Sequence, residues 1–143
     1  MIVYADTGFL ISLYGEDANS AAATVVARGR PVFVLTLLGE TEFINAVGLR
    51  VFRKEWTRQE AQVVNEKFLQ HQSEGVFQME ALGPEVWQTA LTLARRHSAV
   101  LGIRTLDLLH VASVKVLKPD AFCTFDARQR TLAKAERLRV LPA

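Results

Sequence analysis

The order of elements constrains this chain more than anything else in its sequence: short apolar runs alternate with longer helical stretches, and no two apolar runs are joined by a tight hairpin turn. Residues 2–5, 32–35, 76–80 and 121–124 read as strands, with 140–141 as a last short one. Between them, residues 8–14 read as helical. Asp17 is placed to cap a helix running to about Arg28 and stopped by Gly29; Thr36 caps one from Leu37 to about Lys54; Thr57 caps one running to about Ser73 and ended at Gly75. Pro84 sits at the first turn of a helix that continues to about Ser98, Gly102-Ile103-Arg104 forms a loop, and Thr105 caps a helix stopped by Lys118-Pro119. A final helix spans 127 to about 137. Strands that alternate with helices pair in parallel and are covered on both faces. The expected architecture is therefore a three-layer α/β/α sandwich with a parallel sheet, formed by residues 1–143 as a single domain.

Half of the residues are hydrophobic, enough for a sizeable core and too many for wholesale disorder. No apolar run approaches the roughly 20 residues that span a bilayer. The first residues, MIVYADTGFL, carry an acid inside an apolar stretch and no basic leader, so they read as a first strand. The single cysteine, Cys123, excludes an internal disulfide and fits a reducing cytoplasm; its neighbours Phe122 and Thr124 mark it as a buried strand residue. A net charge of +2 does not by itself announce a nucleic-acid binder. The last third is nonetheless basic: Arg104, Lys115, Lys118, Arg128, Arg130, Lys134, Arg137 and Arg139 stand against Asp107, Asp120, Asp126 and Glu136. That excess reads either as a phosphate-binding rim or as an ordinary solvated surface.

In a parallel sheet the working site lies beyond the C-terminal ends of the strands. Four acids fall there. Asp6 follows the first strand and Asp126 follows the fourth; Glu42 lies in the second turn of the helix after residues 32–35; Asp107 lies in the first turn of the helix at Thr105. Each also has a structural reading. Asp6 and Asp126 are candidate N-caps, and Asp107 can complement a helix dipole. The flanks of Asp6 and Asp107 are apolar, however, and carboxylates crowded in such surroundings repel one another at high cost unless a cation joins them. Oxygen ligands suit a hard divalent ion, Mg²⁺ or Mn²⁺, and no His/Cys cluster of zinc spacing exists. Nor is there a Ser-His-Asp or Cys-His arrangement, which agrees with a reaction that needs no protein nucleophile.

The stretches Tyr4-Ala5-Asp6-Thr7, Glu42-Phe43-Ile44-Asn45-Ala46, Leu106-Asp107-Leu108-Leu109-His110-Val111-Ala112 and Thr124-Phe125-Asp126 resemble, in order and spacing, the successive motifs of PIN domains, and in particular the small VapC-type toxins of bacterial toxin–antitoxin pairs. The resemblance covers essentially the whole chain. It implies a PIN-like fold and a metal-dependent endoribonuclease that leaves a 5′-phosphate and a 3′-hydroxyl. Asp6, Glu42, Asp107 and Asp126 would be the metal ligands, with supporting roles for Thr7, Asn45 and Thr124. It further implies a homodimer, an RNA substrate and a cognate antitoxin whose C-terminal segment crosses the cleft. Glu40 and Glu42 lie about 200° apart on a helix, and periodicity does not choose between them; the family's Glu-x-x-Asn-Ala spacing selects Glu42. Gly8 departs from the family pattern, where a polar residue is common.

The remaining motifs have two readings each. His110, three residues after Asp107, is either a structural core histidine or a general base. His71 and His97 stand among polar residues and read as exposed. Trp56 and Trp87 fall at helix starts and read as core or dimer contacts in preference to base-stacking platforms. The Ala-rich stretch 21–26 suits either a dimer face or the core. Arg104 and Arg128 flank two of the acids and would contact RNA phosphates or pair with nearby carboxylates. Two other functions compete. A phosphoacceptor signalling domain would need an acidic pair after the first strand and a Lys after the last, and both are missing. A non-catalytic PIN-fold module, binding protein or nucleic acid, would be expected to have lost acids, and all four positions are filled.

Overall fold

Successive residues of each strand point to opposite faces of the sheet, and the core divides accordingly. In the computed structural model, which describes residues 1–143, the strands are β1 (Ile2–Ala5), β2 (Val32–Leu35), β3 (Phe77–Met79), β4 (Ala121–Cys123) and β5 (Val140–Leu141). Val3, Ala5, Phe33, Leu35, Phe77, Ala121 and Cys123 face one side. There they meet α1 (Thr7–Tyr14), α2 (Ser20–Arg28), α3 (Leu37–Phe52) and α4 (Arg58–Ser73). Tyr4, Val34 and Phe122 face the other side, against α5 (Pro84–Leu93), α7 (Thr105–Leu117) and α8 (Ala127–Ala135). The result is the expected three-layer sandwich. Its first layer is aromatic: the Phe68 ring lies 4.3 Å from Phe43 and 5.1 Å from Phe77.

All strand pairs are parallel, in the order β3-β2-β1-β4-β5. The chain builds outward from β1 through β2 to β3, then returns to add β4 and β5 on the other side. The order therefore reverses between β1 and β4, and such a switch point opens a crevice at the C-terminal ends of the strands. Ala5 pairs with Cys123, so the residues that follow, Asp6 and Thr124, leave the sheet side by side at that crevice.

Local signals account for most helix starts. Thr36 accepts from the Gly39 amide, and Thr57 forms a reciprocal capping box with Glu60. Two expected caps are absent. Helix α2 begins at Ser20, after Asn19, and Asp17 instead takes the Ser12 hydroxyl and the Asn19 amide. Helix α7 begins at Thr105 itself, and the residue before it, Arg104, is extended and supplies no side-chain cap. The helix from Pro84 is also not uniform: after Leu93 it passes through a π-helical turn, Ala94–Ser98, into a short α6 (Ala99–Leu101). Gly102, at φ +62, then reverses the chain into α7. No helix is long and apolar enough to cross a membrane.

Candidate active site

Asp6 stands at the switch point because β1 ends there and α1 begins. It is the N-cap of α1: Oδ1 accepts from the Phe9 amide at 2.7 Å, and Oδ2 accepts from the Thr124 hydroxyl at 2.5 Å. The side chain is almost wholly buried and makes no ion pair. Burial pushes its pKa from 3.8 up to about 6; the Thr124 and Phe9 hydrogen bonds and the charge of His110 act downward, and the charge of Asp126 adds to the rise.

Asp126 caps α8 in the same manner, accepting from the Gln129 amide at 2.9 Å, while its own amide donates to Thr124 Oγ1 at 3.0 Å. Thr124 thus ties the residues after β1 and β4 together. Both aspartates are N-caps, and capping does not use up their acceptor capacity, since each carboxylate offers about four lone-pair sites.

Asp107, buried in the first turn of α7, accepts from Gln129 Nε2 at 2.9 Å and from Arg104 Nε at 3.2 Å. Arg104 is largely exposed, so this pair is screened and weak. Gln129 therefore links Asp107 to Asp126, and its Oε1 is buried without a partner. Glu42 reaches in from α3, where Oε1 accepts from Thr7 Oγ1 at 3.0 Å and from His110 Nε2. Burial alone would raise its pKa, but the hydrogen bond and charge of His110, with help from Thr7, hold it below the ordinary carboxylate value. His110 is not solvated; its Nδ1 faces the Tyr4 hydroxyl at 2.8 Å.

The acids reach one edge but not one point. No three His, Cys, Asp or Glu side chains converge as a ready metal shell. A hard divalent ion does not require one, since Mg²⁺ takes one or two carboxylates directly and keeps several waters. The chemistry of the edge fits such an ion. Asp6 is a buried carboxylate with no cation at hydrogen-bond distance, and its donor set, with Asp126, Asp107, Glu42 and the unpaired Gln129 oxygen, is oxygen throughout.

Other expected residues fall into place differently. Asn45, one turn beyond Glu42, is exposed and bonds to none of these side chains. Arg128 lies exposed beside Asp126. Much of the basic excess is committed elsewhere: Arg130 holds the carbonyls of Thr124 and Pro142, and Lys115 and Arg96 converge on the half-buried Glu136. His97 also pairs with Glu136, and His71 bonds the Tyr14 hydroxyl at 2.6 Å, so neither is simply exposed. Trp56 packs on the core, Trp87 is half exposed, and α2 turns Ala23 to the core and Val25 to solvent. Burial raises the Cys123 thiol to about 12, so it stays protonated. Gln129 escaped sequence reasoning although its signal was present: three residues beyond an N-cap acid is the second half of a capping-box spacing.

Gly8 lies exposed in the first turn of α1, and an added Cβ would meet nothing nearer than Asp6 Oδ1 at 3.8 Å. Gly8→Ala should therefore stabilise the protein by about 0.5–1 kcal/mol, read as a higher urea midpoint with an unchanged slope.

A family model described as the PIN domain matches residues 3–135. Among solved structures, the chain is similar to VapC20 from Mycobacterium tuberculosis, described as a sarcin-ricin loop cleaving toxin, at 18% identity and TM-score 0.68, covering 90% of this chain and 93% of that one. It is similar to FitAcB from Neisseria gonorrhoeae at 16% identity and TM-score 0.70, covering 98% and 96%. It is also similar to VapBC2 from Rickettsia felis, bound to a DNA fragment from their promoter, at 12% identity and TM-score 0.67, covering 98% and 97%. A search of curated protein sequences finds no match.

Proposed function

The chain belongs to the PIN domain family, and from that premise we propose that it is a metal-dependent endoribonuclease acting as the toxin of a toxin–antitoxin pair. The observation that carries the reading is Asp6: a buried, unpaired carboxylate at the switch point of a parallel sheet, with three further acids arriving at the same edge. The shared fold with VapC20, described as a sarcin-ricin loop cleaving toxin, supports RNA as substrate.

Asp6, Glu42, Asp107 and Asp126 would hold Mg²⁺ or Mn²⁺. Bound there, the ion would supply Lewis acidity, polarising a phosphodiester oxygen and making water nucleophilic near neutral pH. The protein's own part is placement. Thr124 and the Phe9 amide fix the Asp6 carboxylate, Thr7 and His110 fix Glu42, and Gln129 fixes Asp107 relative to Asp126. Exposed Arg104 and Arg128 lie on the rim where a phosphate backbone would approach. The likeness to VapBC2 and FitAcB supports a cognate antitoxin, and a homodimer belongs to the same proposal on the motif resemblance alone.

The test is incubation of the purified protein with structured RNA and Mg²⁺ or Mn²⁺. Cleavage leaving 5′-phosphate and 3′-hydroxyl ends, abolished by EDTA and restored by excess metal, is the expected result. Cleavage that persists in EDTA, or no cleavage with either metal, would reject the proposal.

A further inference from the structure

His110 is buried at the acid edge, and placement of the metal ligands does not by itself explain why a histidine stands there. It lies on α7, one turn beyond Asp107, with its ring edge-on to Tyr4 at 5.8 Å between centroids and 69° between planes. Both ring nitrogens are engaged, and by unlike partners. Nδ1 faces the phenol of Tyr4, a β1 residue on the α7 side of the sheet; Nε2 faces Glu42, which comes from α3 in the opposite layer. The contact therefore crosses the end of the sheet beside the switch point.

A histidine serving only the core would spend both nitrogens on buried groups. This one spends its second nitrogen on a partly exposed carboxylate. The Tyr4 hydroxyl, 2.8 Å from Nδ1, shares a hydrogen bond with it whose direction the protonation state of the imidazole sets. In the neutral tautomer that accepts from Tyr4 and in the imidazolium alike, Nε2 carries the hydrogen that faces Glu42. Thr7 donates to the same oxygen, Oε1, from α1. Two donors from two elements thus hold one carboxylate oxygen, and no side chain donates to the other, Oε2.

We propose that His110 is a positioning residue for the metal site: oriented by Tyr4, it grips Glu42 through Oε1 and so aims Oε2 at the divalent cation. This rests on the metal-dependent reading above. Partners that orient metal-ligating groups typically contribute about 10–100-fold in metal affinity.

The experiment uses the full chain with Mn²⁺ alone as the probe, its binding followed by electron paramagnetic resonance. His110→Ala should weaken Mn²⁺ binding by about 10–100-fold. His110→Gln, whose amide nitrogen can still reach Glu42, should recover most of it. His110→Ala added to Glu42→Gln should cost nothing further, because the effect passes through Glu42. In metal-free protein labelled with ¹⁵N-histidine, Nε2 should carry a hydrogen in the wild type, and Tyr4→Phe should disturb that signature. A folded His110→Ala protein with wild-type Mn²⁺ affinity overturns the inference, and so does a loss that adds fully to that of Glu42→Gln. If His110→Ala does not fold, His110→Gln and Tyr4→Phe decide: a His110→Gln protein weakened to the level of Glu42→Gln, or an unmoved signature in Tyr4→Phe, overturns it. Wild-type protein that binds no Mn²⁺ defeats the parent reading and this inference together, whereas binding indifferent to His110 defeats this inference alone.

Discussion

Asp6→Asn should give a protein that no longer cleaves RNA and that, stripped of divalent cations, is more stable than the wild type. The two effects share one cause. Replacing the carboxylate removes a charge stabiliser from the edge, a change that costs about 10²–10³-fold or more in rate. The same carboxylate is a liability when metal-free, because burial lifts its pKa from 3.8 to about 6. A difference of that size corresponds to about 3 kcal/mol at neutral pH. Asparagine caps a helix about as well as aspartate, so the Phe9 amide keeps its acceptor. The Thr124 hydroxyl, which donates to Oδ2, must find another partner, and this reduces the net gain to about 1–2 kcal/mol.

The pH dependence follows from the direction of the shift. With its pKa raised in the folded state, Asp6 costs nothing well below 3.8, where it is protonated in both states. The penalty grows as pH rises through about 6 and is complete above that. In thermal melts in EDTA, Asp6→Asn should therefore stand several degrees higher at pH 7.5 and lose that advantage as pH falls through about 6 towards 3.8. Added Mn²⁺ should raise the wild-type melting temperature and leave the variant where it was. A variant less stable than the wild type in EDTA at pH 7.5 would mean that the capping network, not desolvation, sets the energetics of this carboxylate.

The layers and the site edge were legible in the sequence for the same reason. Period-two alternation in residues 2–5, 32–35 and 121–123 sorts their side chains onto two faces, and a parallel sheet confines strand-following acids to one edge. Strand order is another matter. Nothing in a single sequence says that β4 inserts beside β1 and not beside β3, yet that insertion sets Thr124 against Asp6. The partners of the acids were illegible for a related reason. Gln129 and Tyr4 act through contacts 22 and 106 residues away in sequence. Local rules failed where such contacts compete with them. Asp17 has the composition of a cap but is drawn to Ser12, and His71, in a polar stretch, finds Tyr14 on another helix.

The choice between Glu40 and Glu42, which periodicity leaves open, should appear as a large difference between two otherwise identical substitutions. Glu40 sits in the first turn of α3 with no side-chain hydrogen bond, where its charge does little beyond complementing the helix dipole. Glu40→Gln should keep cleavage within about twofold, as expected for a surface change. Glu42→Gln keeps the shape and an oxygen for Thr7 and His110 to grip, but replaces the remaining oxygen with a donor that no cation accepts. Cleavage should fall about 10²–10³-fold, with partial recovery at high Mn²⁺. Stability should move opposite to Asp6→Asn. Because Glu42 is held below its ordinary pKa, its charge stabilises the fold at neutral pH, and that contribution is lost as pH falls through the lowered value. Glu42→Gln should thus lower the metal-free melting temperature at pH 7.5 while Asp6→Asn raises it. Initial rates across a Mn²⁺ series, with melts in EDTA, check both. Glu40→Gln as the inactive variant would transfer the ligand role to Glu40, and equal stability shifts for Asp6→Asn and Glu42→Gln would show that the two carboxylates do not occupy opposite electrostatic environments.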